Sequence, residues 1–258
     1  MSSAVASPPA RVTAASWRCA GEQSDVYRAL VASGLFSRTD PHIVSAVSRE
    51  LKPRHFRTGR VVDTRTDLAG RLYIVVSGKA KLHYRRLDGC QVLLSVVGPP
   101  ETFGATSIFD EESGELSVTA LTDVTAVPIE RDQLLSCMAA RPEVADQVLR
   151  LFARRAKAAI DCLVDFRCNV AASRIAGRLL CLSQRFGRRE GEVVRVVHDM
   201  TLADFAAMVG VAPEAVAATL REFTDRGWLY SDATSFVIVD GQALASVRAM
   251  NAPEVCRV

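Results

Sequence analysis

No stretch of this 258-residue sequence approaches the roughly 20 consecutive apolar residues that a membrane-crossing helix needs. The segment from Met1 to Ala15 is rich in Ser, Ala and Pro and has no basic stretch followed by a hydrophobic one, so it does not read as a signal peptide. Residues 1–23 are expected to be a disordered tail, no membrane partner is expected, and the expected location is the cytoplasm. The seven cysteines (Cys19, Cys90, Cys137, Cys162, Cys168, Cys181 and Cys256) are dispersed and form no C-x-x-C pair. That odd, scattered set argues against a disulfide framework or a cysteine zinc site and fits reduced thiols. Charge of one sign is also scarce. A formal net charge of +3 is too small to announce a nucleic-acid partner and too small to argue against one.

What is present is apolar sequence enough to bury real cores, 49% against 24% charged, over a length that suits two domains better than one. Ser24 to Ser33 reads as a short helix ending near Gly34. A second, amphipathic helix follows Asp40 and Pro41, with Ile43, Val44 and Val47 on one face, and reaches Leu51. From Phe56 to Ile129 short β-rich runs take over: Val61–Val62, Leu72–Val76, Ala80–Tyr84, Gln91–Val97, Leu116–Leu121 and Val124–Ile129. Turn signals such as Ser77-Gly78 separate them, and Asp88-Gly89 is a strong hairpin signal, so an antiparallel barrel or sandwich is expected.

Past Pro142 the periodicity turns helical. Leu149, Phe152, Ala156, Ala159, Leu163, Phe166 and Val170 follow a 3-4-3-4 spacing, the seam of a coiled coil, and the first six are the expected dimer contacts. Val148, Leu151, Ile160 and Val164 widen the apolar face, so the helix also has surface to pack on its own barrel. Asn169 is the expected cap of a new helix, which puts a hinge at Arg167–Asn169. That helix, Ala171 to Phe186, is expected to end at Gly187 with Arg188 and Arg189 beside its negative end.

The most informative stretch follows. Thr201 caps a helix, with Asp204 as the reciprocal acidic partner, and Phe205, Met208 and Val209 form its inner face. Gly210 supplies a tight turn because only glycine enters the left-handed region without steric cost. Pro213 then opens a second helix at its favoured first position, Val216, Leu220 and Phe223 give it one buried stripe, and Gly227 ends it. Trp228–Tyr230 and Phe236–Val239 around the turn Asp232–Ser235 read as a two-stranded wing. The order helix, turn, helix, wing is that of a winged helix-turn-helix, whose second helix enters the major groove.

In sequence order, Phe56 and Gly59 opening the barrel, Leu72 to Gly78 in a strand, Phe103-Gly104 with Ile108-Phe109, Ala153 to Arg155 on the long helix, Arg174 to Ala176 after the hinge, and the helix-turn-helix resemble the cyclic-AMP receptor protein/FNR (Crp/Fnr) family of bacterial transcription regulators. The resemblance covers about Leu30 to Val239. It implies an α+β fold: a double-stranded β-helix (jelly-roll), cyclic-nucleotide-binding-like sensor domain over 24–141, a dimerisation helix over 142–168, and a winged helix-turn-helix DNA-binding domain over 169–258. The function so implied is that of a homodimeric, sequence-specific DNA-binding regulator acting on a two-fold related site. A second copy of the chain, double-stranded DNA and RNA polymerase are its expected partners. No catalytic residue, cofactor or metal is expected.

The chain departs from the family where a cyclic nucleotide is held. A glutamate after the Phe-Gly turn normally meets the ribose, an arginine-serine pair the phosphate, and a polar pair on the long helix the adenine. Here those places read Ala105, Gly114-Glu115 and Ala159-Ile160. A buried phosphate without a cation is unfavourable, and Glu115 would add repulsion. The pocket of Phe103, Gly104, Ala105, Gly114, Glu115, Ala159 and Ile160 is therefore expected to be degenerate and cyclic AMP dispensable.

The expected DNA-facing set is Thr201, Ala212, Pro213, Glu214, Ala217, Ala218, Arg221 and Arg226. The family's arginine positions read Pro213 and Ala218. Glu214 can accept from a cytosine amino group, while Arg221 and Arg226 suit phosphates. Cys162, beside the seam, and Cys168, at the hinge next to Arg167, are candidate redox thiols, although the reading of the two as inert, partly buried cysteines is the favoured one. Two rival readings have their own marks. A metal oxygenase barrel needs several histidines, whereas this span holds His83 with His55 just before it. A scaffold whose helix-turn-helix contacts proteins would explain the few arginines on the second helix.

Overall fold

The computed structural model of the chain describes residues 24–62, 67, 69–85, 91–109 and 116–250; the expected tail, the Asp88-Gly89 turn and the Gly114-Glu115 pair lie outside the described residues. Helix α1 covers residues 24–32. Helix α2, Pro41–Glu50, starts where the Asp40 carboxylate accepts the His42 N–H and Pro41 occupies the first turn, which needs no donor. Strands β1 (Arg54–Phe56), β2 (Val61–Val62), β3 (Arg71–Ser77), β4 (Ala80–Arg85), β5 (Gln91–Val97) and β6 (Thr102–Phe103) follow, then the short helix α3 (Ala105–Phe109), β7 (Leu116–Ala120) and β8 (Val124–Glu130).

These strands form two antiparallel four-stranded sheets, ordered β1-β8-β3-β6 and β2-β7-β4-β5. Tyr73, Val75, Phe103, Val118, Ala120, Val124 and Ala126 fill the space between the sheets. The outer face of the first sheet is covered as well: Leu72, Ile74, Val127 and Ile129 pack under the helices with Leu30, Leu35, Val44 and Leu134. Burial on both faces is why β3 reads as a continuous apolar run rather than an alternating one. This is the expected jelly-roll.

Helix α4 (Arg131–Ala140) leads into α5 (Pro142–Cys168), the expected long helix. Its first turns are anchored, Val144 and Val148 being buried against the sensor barrel. Its later turns are not: Leu149, Ile160 and Leu163 are 68%, 60% and 58% exposed. Large apolar side chains in such a row on a water-facing helix mark a contact surface.

At the hinge the structure corrects the sequence reading. Asn169 does not cap the next helix. It terminates α5, its N–H bonding to the Asp165 carbonyl and its side-chain amide to the Asp165 carboxylate, while Val170 precedes α6 (Ala171–Phe186) without any side-chain cap. Helix α6 ends at Gly187 as expected, but Arg188 and Arg189, which follow that end, belong to strand β9 (Gly187–Glu190). That strand pairs with β10 (Val193–Val197), and the two extend the expected wing, β11 (Leu229–Ser231) paired with β12 (Ser235–Ile238), into a four-stranded sheet ordered β11-β12-β10-β9. Against it pack α6, α7 (Leu202–Val209), α8 (Pro213–Asp225) and α9 (Gly241–Met250). The core of this second unit also takes in Leu93 and Val96 from sensor strand β5.

Candidate nucleic-acid interface

Thr201 starts α7 through a complete capping box. Its hydroxyl oxygen accepts the Asp204 N–H at 3.1 Å, and its own N–H and hydroxyl donate to Asp204 Oδ2. The other oxygen of Asp204 receives Lys81 Nζ at 2.8 Å from strand β4 of the sensor. Burial would raise the Asp204 carboxyl, but the Lys81 and Thr201 hydrogen bonds outweigh it and hold the group below the usual carboxylate range. One residue set thus shapes the helix start and ties it to the sensor.

Gly210 ends α7 with φ +63, and a methyl in place of its hydrogen would stand 2.2 Å from Cε1 of Phe166. Phe166, an expected dimer contact, therefore packs on the helix-helix turn of its own chain, and the Arg174 guanidinium lies over its ring at 5.0 Å. Phe152 is likewise occupied, edge-on to Phe109 at 5.5 Å and half-buried on the sensor. Leu149, Ala156, Ala159 and Leu163 are exposed along α5, and Phe166 keeps 42% of its surface open beside that turn.

On α8 the face expected to meet DNA is open to solvent: Ala212, Pro213, Glu214, Ala218 and Arg221 are exposed, and Ala217 is half-buried. Arg221 has no ion pair among the described residues, whereas Arg226 is committed, bonding Glu222 at 2.6 Å and covering the Trp228 ring at 4.8 Å. The helix carries Arg221 as its one basic side chain against Glu214, Glu222 and Asp225.

In the sensor, Phe103 is buried and stacked on Tyr73 with ring centroids 4.9 Å apart. Gly104 turns the chain at φ +81, and Ala105 is 1% exposed where the family glutamate would stand. Ala159 and Ile160 are exposed on α5 and offer that turn no polar side chain. The polar group that does reach it is Arg155, which the sequence reading missed. Its guanidinium donates to the carbonyl and hydroxyl of Thr102, and burial depresses its pKa. Cys162 is half-buried with Arg178 Nη2 3.9 Å from its sulfur; the Cys168 side chain lies outside the described set. No group of three or more His, Cys, Asp or Glu able to hold a metal occurs among the described residues, and no single helix there is long and apolar enough to cross a membrane.

Several groups that join the two units were also beyond the sequence reading. Lys79 Nζ meets Asp199 at 2.6 Å, with Asp199 held at φ +58. Arg185 on α6 grips both oxygens of Glu101 at 2.7 Å and also donates to the Val96 carbonyl. The partners are 84 to 123 residues apart in the chain, with no local signal to link them.

Comparison with known proteins meets this architecture at both ends. A model of the cyclic nucleotide-binding domain matches residues 53–141, and a model of the Crp-like helix-turn-helix domain matches residues 173–247. The chain belongs to the Crp/Fnr family of transcription regulators. It is 39% identical over 216 residues to the "CRP-like cAMP-activated global transcriptional regulator" of Mycobacterium tuberculosis, covering 84% of this chain and 96% of that protein. It is 29% identical to the "Cyclic AMP receptor protein" of Thermus thermophilus, covering 76% and 87% of the two chains. Among solved structures, FixK2 from Bradyrhizobium japonicum superposes with a TM-score of 0.66 at 20% identity, over 76% of this chain and 96% of that one. This Crp/Fnr chain is thus a CRP-like transcription regulator with a helix-turn-helix DNA-binding domain, and its relatives are regulators, not enzymes.

Proposed function

We propose that the chain is a homodimeric, sequence-specific DNA-binding regulator that does not depend on cyclic AMP bound in the family's usual mode. The observation that carries this reading is the open N-terminal face of α8, held on a turn that Gly210 and Phe166 define. Glu214 and Arg221 are its contact residues, Glu214 reading a base edge and Arg221 meeting a phosphate, while Thr201, whose N–H and hydroxyl both donate to Asp204, fixes the start of α7. Arg226, already paired, acts through Trp228 and Glu222. Dimerisation along α5 is supported by the exposed row of Leu149, Ile160 and Leu163. It would place two α8 helices for two half-sites about one DNA turn apart. RNA polymerase in the cytoplasm is the partner this role requires.

The name of the mycobacterial relative ties that protein to cyclic AMP. In this chain Ala105 cannot hold a ribose hydroxyl, and Ala159 and Ile160 offer an adenine no hydrogen bond. Arg155 is already engaged with Thr102. Sugar and base are both left without their partners, so any activating signal differs from the relative's. The acidic balance of α8 favours one competing role, protein contact through the helix-turn-helix, and the same experiment separates the two. Purified protein is mixed with fragmented genomic DNA at low and high salt, with and without micromolar cyclic AMP, and the bound fragments are sequenced. A two-fold motif enriched equally in both cyclic AMP conditions is expected. Enrichment only with cyclic AMP overturns the effector reading, and no enrichment at either salt overturns the DNA reading.

A further inference from the structure

A cavity of about 710 Å3 lies inside the DNA-binding unit, between the start of α7, the second half of α8 and the turn from β11 to β12. That volume is within the roughly 300–1,000 Å3 of small-molecule sites. Its floor is apolar: Leu179, Met200, Phe205 and Phe236 are each 5% exposed or less. One polar side chain lines it from within. His198 is 8% exposed, and its Nδ1 accepts the Met200 N–H at 3.1 Å. The imidazole proton therefore sits on Nε2, where no acceptor among the described residues meets it. Burial keeps the ring neutral against the pull of Asp199 and Asp232, and Lys79 acts with burial.

The charges around the cavity select the kind of molecule that would satisfy that donor. Asp199, Asp225 and Asp232 stand at the rim with Arg221 as the one cation among the lining residues, Asp199 being paired to Lys79. An anion would face these carboxylates, and a cation could not accept from the Nε2–H and would have to give up its hydration over an apolar floor. A neutral acceptor such as a carbonyl oxygen meets neither penalty. We propose that this cavity binds an uncharged, mostly apolar small molecule carrying one hydrogen-bond acceptor, held by His198, in competition with DNA. The competition follows because Ala217 and Arg221, two residues of the proposed DNA face, also line the cavity, and such linkage is reciprocal. The site is separate from the sensor pocket, and its occupancy can be read without any DNA.

The test is a fluorescence titration of the full chain with Nile red, an uncharged aromatic dye bearing a carbonyl, and with its cationic analogue Nile blue. Saturable Nile red binding, one per chain, is expected, with Nile blue at least tenfold weaker. Ala217→Phe fills the wall contributed by α8 and should weaken Nile red at least tenfold. His198→Asn keeps an acceptor for the Met200 N–H but removes the Nε2 donor, and should weaken it about 3–10-fold, the worth of one hydrogen bond. Should Ala217→Phe lose its near-ultraviolet circular dichroism, Thr224→Trp blocks the cavity from another position and replaces it. Saturating random-sequence duplex should displace the dye from the wild type. Absence of saturable binding, affinity unchanged by cavity-filling and His198→Asn alike, or equal binding of Nile blue overturns the site. Dye affinity untouched by duplex that does bind the protein overturns the competition.

Discussion

Replacing Gly210 by alanine tests how the long helix is joined to the helix-turn-helix. The substitution meets two separate costs. At φ +63 any residue with a Cβ sits in the left-handed region, which costs about 1–2 kcal/mol. The new methyl would also stand 2.2 Å from Phe166 Cε1, so the ring has to leave the turn and its stack under Arg174. Overpacking of this kind costs about 1–3 kcal/mol. Gly210→Ala alone should therefore destabilise the chain by roughly 2–5 kcal/mol, whereas in a Phe166→Ala background only the backbone cost of about 1–2 kcal/mol remains. The assay is urea unfolding of the four proteins at one fixed protein concentration, followed by Trp228 fluorescence, with fixed concentration needed because association shifts apparent stability. Equal costs in both backgrounds would refute the contact, since the clash exists only while the ring is there. Full additivity would leave Gly210 explained by its dihedral alone.

Three further outcomes are expected. Leu149→Asp with Leu163→Asp should yield monomers in sedimentation, because each large side chain is worth about 1.5–3 kcal/mol buried; a dimer unchanged by both charges means the seam lies elsewhere. Asp204→Asn should cost about 1–2 kcal/mol at pH 7, as a lost cap does. The folded carboxyl titrates below its unfolded value, so its stabilisation is complete above about pH 4 and vanishes as pH falls through the folded value; a gap between wild type and variant that persists far below that window counts against the carboxylate pairing. Glu214→Ala should alter preference at one base pair per half-site by about 1–3 kcal/mol, while Arg221→Ala should weaken all sequences alike and lower the salt dependence, and identical effects of the two on selected and random duplexes would undo that division.

Much of this was legible because it depends on short-range physics. Thr201, Gly210 and Pro213 each have one favourable place relative to a helix end, and together they located α7, the turn and α8 to the residue. Strand β3 was legible through its apolar run. Helix α4 was not, since Leu134 is its one buried side chain and no stripe marks it. Strand β9 was hidden for a related reason. All four of its residues are exposed, and its pairing depends on β10 rather than on any pattern in Gly187–Glu190. The heptad spacing identified an apolar helix face but could not say what covers each position. Phe152 turned out to meet Phe109, and Phe166 the Gly210 turn.

The two units are joined more closely than a hinge between independent domains would require. Leu93 and Val96 belong to the same buried cluster as Leu179, Phe205 and Met208, so sensor strand β5 supplies part of the core on which α7 rests. Around that apolar contact, Lys79 and Lys81 from strand β4 and its leading turn hold Asp199 and Asp204 on either side of Thr201. Glu101 and Thr102 lead directly into Phe103 and Gly104, the turn where the family reads its ligand. In this chain the first is gripped by Arg185 of α6 and the second by Arg155 of α5. The three ion pairs are partly shielded from water, so a charge whose partner is removed is solvated less well there than at an open surface. That turn is therefore tied both to α5, whose exposed apolar row is the proposed dimer seam, and to α6, which packs on α7 and α8. Ala105, where the family has a glutamate, offers a ligand no polar contact yet leaves these links whole, so a change in what the turn can meet need not cost its connection to the DNA-binding unit.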